Sequence, residues 1–153
     1  KNGIIVKGID DVSVRFSKCC SPVPGDEIVG FVTRGRGISI HRTDCINVIN
    51  MSEMDKSRLI EAEWQRMDHA DAAEKYMADI KIFANNRTGL IVDVSKVFTE
   101  KKIDVLSMNC RISKQGTATI DMGFEISGVE ELKQLAEKLR QIEGVLDIER
   151  TTG

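Results

Sequence analysis

The sequence predicts an α+β protein in two parts. A small antiparallel α+β module occupies residues 1–66, a ferredoxin-like βαββαβ unit occupies 77–153, and a linker spans 67–76. Three observations carry this. The second half alternates strand-type and helix-type apolar spacing in the order strand, helix, strand, strand, helix, strand. The first half is rich in short β-type runs broken by glycine and proline. Between them, residues 65–75 are polar and lack the apolar content of a core segment, so a domain boundary belongs near 71–76.

In the first half, Val12, Val14 and Phe16 alternate as a strand. Residues 21–26 form a loop, because Pro22, Pro24 and Gly25 exclude regular structure. Strands at 28–33 and 37–41 are joined across Arg34-Gly35-Arg36. Thr43 or Asp44 caps a short helix through Asn50, with Ile46 and Ile49 toward the core. Residues 58–64 return as a further strand.

In the second half, Ile80, Ile82 and Ala84 share one face of a strand at 78–85, which residues 86–89 end. Leu90, Ile91, Val94, Val97 and Phe98 recur at helical spacing, and Lys101 and Lys102 suit the negative end of the helix dipole. Leu106, Met108, Cys110 and Ile112 alternate with polar residues. After the turn Lys114-Gln115-Gly116, Ala118, Ile120, Met122, Phe124 and Ile126 do the same, a hairpin with one buried face. A second amphipathic stripe runs from Val129 to Ile142, Gly144 caps it, and residues 145–149 form the last strand.

The composition is globular, with 41% hydrophobic and 30% charged residues. Aromatic residues are only 5%, so the core is aliphatic. No apolar run approaches the ~20 residues of a bilayer span, and no secretory segment opens the chain, so no membrane partner is expected. The chain begins at Lys1 rather than Met and reads as a piece of something longer. The net charge of −2 does not draw the protein as a whole to nucleic acid, so any polyanion contact belongs to a local patch. Cysteines are four, two of them adjacent, which suits free thiols in a reducing cytoplasm better than a disulfide framework.

Three features carry chemistry. Cys19, Cys20, His41 and Cys45 are all zinc-ligand types, and a closed structural zinc site takes four. Against a site, the vicinal pair departs from ordinary ligand spacing, and strand geometry would aim Cys19 and Cys20 oppositely. The other reading is small cysteines packed in a core. A Cys–His nucleophile would also need an orienting group and a pocket, and the chain shows no credible active site. The second feature is the loop Thr33-Arg34-Gly35-Arg36-Gly37 with His41 and Arg42, a solvated hairpin tip or a phosphate-contacting patch suited to structured RNA. The third is the turn Asn86-Arg87-Thr88-Gly89-Leu90, where amides at a helix N-terminus suit a free amino acid's carboxylate. His69, in the polar connector, reads as solvent-exposed.

The stretch from Phe16 through Cys19-Cys20-Ser21-Pro22-Val23-Pro24-Gly25-Asp26 and Arg34-Gly35-Arg36 to His41-Arg42-Thr43-Asp44-Cys45 resembles the C-terminal regulatory region of RelA/SpoT-type (p)ppGpp synthetase/hydrolases. There it belongs to the module called the zinc-finger, conserved-cysteine or ribosome-intersubunit domain. The following βαββαβ unit, with Asn86-Arg87-Thr88-Gly89-Leu90, looks like that family's ACT domain. The resemblance implies a non-catalytic regulatory fragment of an enzyme of the stringent response. It would bind the ribosome and ribosomal RNA beside an A-site tRNA and restrain the N-terminal catalytic domains. It implies RNA-facing roles for Arg34, Arg36, His41 and Arg42, with Lys18 as an outlier. It also implies an effector loop at Asn86 to Leu90 for a branched-chain amino acid, pairing of ACT units into a homodimer, and structural zinc at Cys19, Cys20, His41 and Cys45.

Overall fold

The computed structural model describes residues 3–8, 12–65 and 74–151. The expected linker, with His69, falls largely on residues 66–73 and so lies outside the described residues. The chain divides into two units, which meet between Glu74 and Lys75.

In the first unit the short β-type runs become β1 (Ile4–Val6), β2 (Val14–Phe16), β3 (Ile28–Val32), β4 (Ile38–Arg42) and β5 (Leu59–Trp64), with two single-turn helices, α1 (Ile46–Ile49) and α2 (Glu53–Lys56), between the last two. Among the described residues they make one sheet in the order β1-β5-β3-β4-β2. All pairings are antiparallel except β2 with β4, which is parallel. Alternation puts Ile4, Val6, Ile38 and Ile40 into a small aliphatic core, against which Phe16, Ile60 and Trp64 pack. Trp64 stacks on Phe16 with ring centroids 5.6 Å apart and donates its indole N–H to the Asp26 carbonyl at 3.0 Å, which ties the proline loop to the sheet. Gly30 sits mid-sheet because a β-carbon there would lie 2.9 Å from methyl groups of both Ile38 and Ile60.

Two expectations are corrected here. The N-cap of α1 is Cys45, not Thr43 or Asp44. Ile46 and Ile49 do not face the core but lie exposed, since a helix of one turn follows the cap and presents those positions to solvent. The helix α2 has an ordinary side-chain cap, Ser52 Oγ accepting from Asp55 N at 3.1 Å.

The second unit has the expected βαββαβ order: β6 (Tyr76–Asn85), α3 (Leu90–Glu100), β7 (Val105–Ile112), β8 (Thr117–Ile126), α4 (Val129–Arg140) and β9 (Val145–Arg150). Its antiparallel sheet runs β7-β8-β6-β9. The fold is ferredoxin-like, with the helical stripes packed on one face of the sheet. Leu90, Val94 and Phe98 from α3 and Leu132, Leu135 and Leu139 from α4 are buried with Ile80, Ile82, Ile120 and Phe124. Phe98 and Phe124 meet edge to face at 5.3 Å. The helix α4 stops at Arg140, before Ile142, and Gly144 (φ +99) makes the turn into β9 rather than the helix cap.

The hairpin is corrected on one strand. β8 has a buried face, but β7 is an edge strand exposed along its whole length. Leu106, Met108 and Ile112 stay open to solvent, and a groove of about 530 Å³ runs between β7 and α3, lined by Ser95, Phe98, Thr99, Lys102, Met108 and Met122.

Candidate metal centre and basic hairpin tip

The adjacency of Cys19 and Cys20 is resolved by a turn. After β2, Ser17 N donates to the Ile40 carbonyl at 2.9 Å, and Ser21 N reaches back to the Ser17 carbonyl at 2.9 Å. Residues 18–20 therefore curl rather than extend, and Ser21 takes a positive φ of 45° to leave the turn. In a turn, neighbouring side chains need not point oppositely, so the strand argument against the pair fails. Both thiols converge on His41 from β4 and on Cys45 at the start of α1.

Cys19 Sγ lies 3.4 Å from Cys45 Sγ, 3.5 Å from His41 Nδ1 and 4.0 Å from Cys20 Sγ; Cys20 Sγ lies 3.9 Å from His41 Nδ1. All four donor atoms fall within 4.8 Å of one another. A tetrahedron with metal–sulfur bonds of about 2.3 Å has edges of about 3.8 Å, so these spacings fit a single ion. Three thiols and one imidazole are the soft donor set that zinc prefers. Cys20, Cys45 and His41 are buried and Cys19 is half-buried, which suits a closed structural centre rather than a catalytic one with an open position.

The surroundings hold these donors in place. His41 Nε2 is 3.3 Å from Ser39 Oγ, so a proton on Nε2 leaves the Nδ1 lone pair facing the sulfurs. Arg42 N donates to Cys20 Sγ at 3.3 Å, and its guanidinium donates to the Cys20 carbonyl at 3.1 Å and to Asp44 Oδ2 at 2.6 Å. Burial pushes the Cys20 thiol pKa well up and the His41 pKa down. Burial also opposes ionisation of Cys19, but hydrogen bonds with Ser17, Asn47, Cys45 and Cys20 outweigh it and hold that thiol below the ordinary value of 9.0.

The arginines divide by position. Arg34 and Arg36 are exposed at the β3–β4 tip, where Gly35 and Gly37 both have φ +79°. The tip is closed by Thr33, whose N–H and hydroxyl both donate to the Gly37 carbonyl, at 2.9 and 2.6 Å. Gly37 is required twice over, by its φ and because a β-carbon there would run into the Ser13 carbonyl. Lys18 is exposed beside the cysteine turn. Arg42 and His41 are 6% and 9% exposed, so the expectation that they face outward is corrected: both point inward and build the cluster. The supporting roles of Ser39, Asp44 and Ser17 were not read from the sequence, and no spacing there signals them.

The effector-loop residues are brought together but largely engaged with the chain itself. Asn86 N donates to the Gly116 carbonyl at 2.8 Å. Arg87 donates from Nε to the Glu143 carbonyl at 2.9 Å, from Nη1 to the Thr88 carbonyl at 3.1 Å and from Nη2 to Asp93 Oδ2 at 2.7 Å, which pins the loop to the α4–β9 turn. Gly89, left-handed with φ +81°, starts α3, and Leu90 is buried beneath it.

The pair is a small β-sheet unit carrying a Cys/His cluster, followed by a ferredoxin-like βαββαβ unit, and comparison with known proteins gives its family. The ACT domain matches residues 72–150, and the RelA/SpoT RIS domain matches residues 4–65. The chain therefore belongs to the ACT-domain family, in the RIS-plus-ACT pairing of the RelA/SpoT C-terminal regulatory region. The GTP pyrophosphokinase of Streptomyces coelicolor is 37% identical over 150 residues, covering 98% of this chain and 17% of that protein. The GTP pyrophosphokinase of Escherichia coli K12 is 36% identical over 151 residues, covering 98% of this chain and 20% of that protein. The chain thus spans about a fifth of the length of the curated relatives it matches. Among solved structures, the ACT domain from the GTP pyrophosphokinase of Chlorobium tepidum aligns with a TM-score of 0.46 and 22% identity, over 50% of this chain and 99% of that one. No helix among the described residues is long and apolar enough to cross a membrane.

Proposed function

We propose that this chain is a non-catalytic regulatory region that docks on the ribosome through its first unit and controls (p)ppGpp synthesis and hydrolysis by N-terminal catalytic domains of the same protein. The stringent response and a cytoplasmic setting follow from that reading. The observation that carries it is the basic tip: Arg34 and Arg36 stand exposed on glycine-flanked backbone at the β3–β4 turn. Planar guanidinium groups on a closely approachable backbone suit the phosphates of structured RNA, here ribosomal RNA beside an A-site tRNA. Cys19, Cys20, His41 and Cys45 would hold a zinc ion that braces the first unit structurally.

Co-sedimentation of the fragment with ribosomes across a salt series tests this. Arg34→Ala with Arg36→Ala should weaken binding and reduce the slope of log affinity against log salt by about 1–2. An unchanged slope with a folded variant rejects the tip as the docking surface.

A second reading belongs to the second unit, where the exposed β7 edge favours pairing of two ACT units side by side. An open strand with apolar Leu106, Met108 and Ile112 is a template for association. Such a dimer would sense a branched-chain amino acid at Asn86 to Leu90 if the ligand binds its two conformations with different affinity. Titration calorimetry with leucine, isoleucine and valine tests it, with Gly89→Val as the control that blocks backbone approach. No heat with any of the three removes the effector.

A further inference from the structure

The four cysteines are not equivalent, and their geometry singles out one pair. Cys110 lies exposed on β7 in the second unit. Among the three of the cluster, the Cys19 and Cys45 sulfurs are the nearest, 3.4 Å apart against 4.0 Å for Cys19 and Cys20. Closing a bond of about 2.05 Å from 3.4 Å needs a shift of little more than 1 Å, shared between two side chains. The nearer sequence neighbours make the poorer pair. Adjacent α-carbons sit about 3.8 Å apart across a trans peptide, below the usual disulfide span of about 4.4–6.8 Å. Cys20 is further restrained, because Arg42 N donates to its sulfur and the Arg42 guanidinium holds its carbonyl. Cys19 is the half-buried member of the cluster and the one a small molecule can reach, and buried Cys45 waits directly behind it.

We infer that Cys19 and Cys45 form an oxidative modification site: a dithiol that a low-molecular-weight disulfide converts into a Cys19–Cys45 cross-link. The Cys19 thiolate attacks one sulfur of the external disulfide, forming a mixed disulfide and expelling one small thiolate. The Cys45 thiolate then attacks Cys19 Sγ, forming the protein disulfide and expelling the second. The two protein thiols are oxidised, the external disulfide is reduced to two thiols, and both protons leave with those thiols. Cross-linking is independent of ribosome docking, and it removes two of the four metal donors. His41 and Cys20 alone do not close a tetrahedral site, so disulfide and zinc exclude each other.

The test uses the whole chain with Cys110→Ser, to remove the exposed thiol, treated with chelator and then with oxidised glutathione under native conditions. The three remaining thiols should fall to one, and the mass should drop by about 2 Da without an added glutathione. Cleavage after Lys18, Arg34, Arg42 and Lys56 should leave residues 19–34 joined to residues 43–56, and fragmentation between Cys19 and Cys20 should place the bond on Cys19. Cys20→Ser should still cross-link, which separates the assignment from loss of fold, and the cross-linked chain should take up no zinc until reduced. Three free thiols after treatment, a Cys19–Cys20 or Cys20–Cys45 bond, or full zinc uptake by the oxidised chain would each overturn the inference. Cross-linking that fails in Cys20→Ser would do so too.

Discussion

The two units solve the problem of a stable core in different ways. The second buries two complete helical stripes against a sheet, with Phe98, Phe124, Leu135 and Leu139 among its fully buried side chains. The first unit gathers Ile4, Val6, Ile38 and Ile40 into its aliphatic core, and beside them it buries Cys20, Cys45, His41 and Arg42. Domains of that size seldom reach comfortable stability on apolar burial alone and add a metal or a cross-link. The contrast teaches where each unit is vulnerable: the second to a cavity, the first to loss of its cysteine cluster. The chain supplies separate reporters, since its single Trp (Trp64) lies in the first unit and its single Tyr (Tyr76) in the second.

The largest effect should come from metal removal. With zinc bound, a strong chelator or Cys45→Ala should abolish the cooperative Trp64 transition while leaving the Tyr76 transition in place, because binding free energy is folding free energy in such sites. Should Trp64 not respond to chelator, the cluster is packing only, and Cys45→Ala costs about 1–3 kcal/mol. Next, Phe124→Ala should destabilise the second unit by about 3–5 kcal/mol, read from the urea midpoint of Tyr76 fluorescence, with Trp64 unmoved. A cost below about 1 kcal/mol would mean that the two units do not differ in how they are held.

Smaller effects sharpen the comparison. Gly37→Ala should cost the first unit about 1–3 kcal/mol more than Gly35→Ala. The two share φ +79°, but only Gly37 faces the Ser13 carbonyl. Equal urea midpoints for the pair would remove that contact as the reason. Acid should open the first unit first. The folded pKa of His41 is depressed by burial, so its stabilisation is complete above the ordinary histidine value of 6.5 and is lost as pH falls through the folded value. Asp121 is depressed chiefly by its hydrogen bond with Lys81, and its contribution to the second unit is lost only as pH falls from 3.8 toward its folded value. Asp121 is more than a third exposed, so Asp121→Asn should cost only about 0.2–1 kcal/mol at neutral pH after solvent screening. That difference should vanish below the folded value; a difference that persists there means Asp121 acts through packing rather than charge.

How much was legible follows from how local each signal is. The order of strands and helices from 76 to 150 was readable because amphipathic period is a property of neighbouring residues. The long motif from Phe16 to Cys45 was readable as a resemblance, and it carried the candidate ligands with it. Ile46, Ile49, Leu106, Met108 and Ile112 were misassigned for one reason. Apolar alternation tells which residues share a face, not whether another element covers that face.

The sequence by itself determined the fold class, the two-part organisation, the ligand types Cys19, Cys20, His41 and Cys45, and the glycine-bounded tip with Arg34 and Arg36. Each of these rests on short-range patterns or on residue chemistry. Only the tertiary structure decided that a turn, not a strand, carries the vicinal cysteines, and that β4 and the start of α1 bring His41 and Cys45 within 3.5 Å of Cys19. It alone turned Arg42 inward to brace Cys20 and left β7 as an open edge. Those outcomes depend on strand pairing and helix placement between residues distant in the chain, and no local period encodes them.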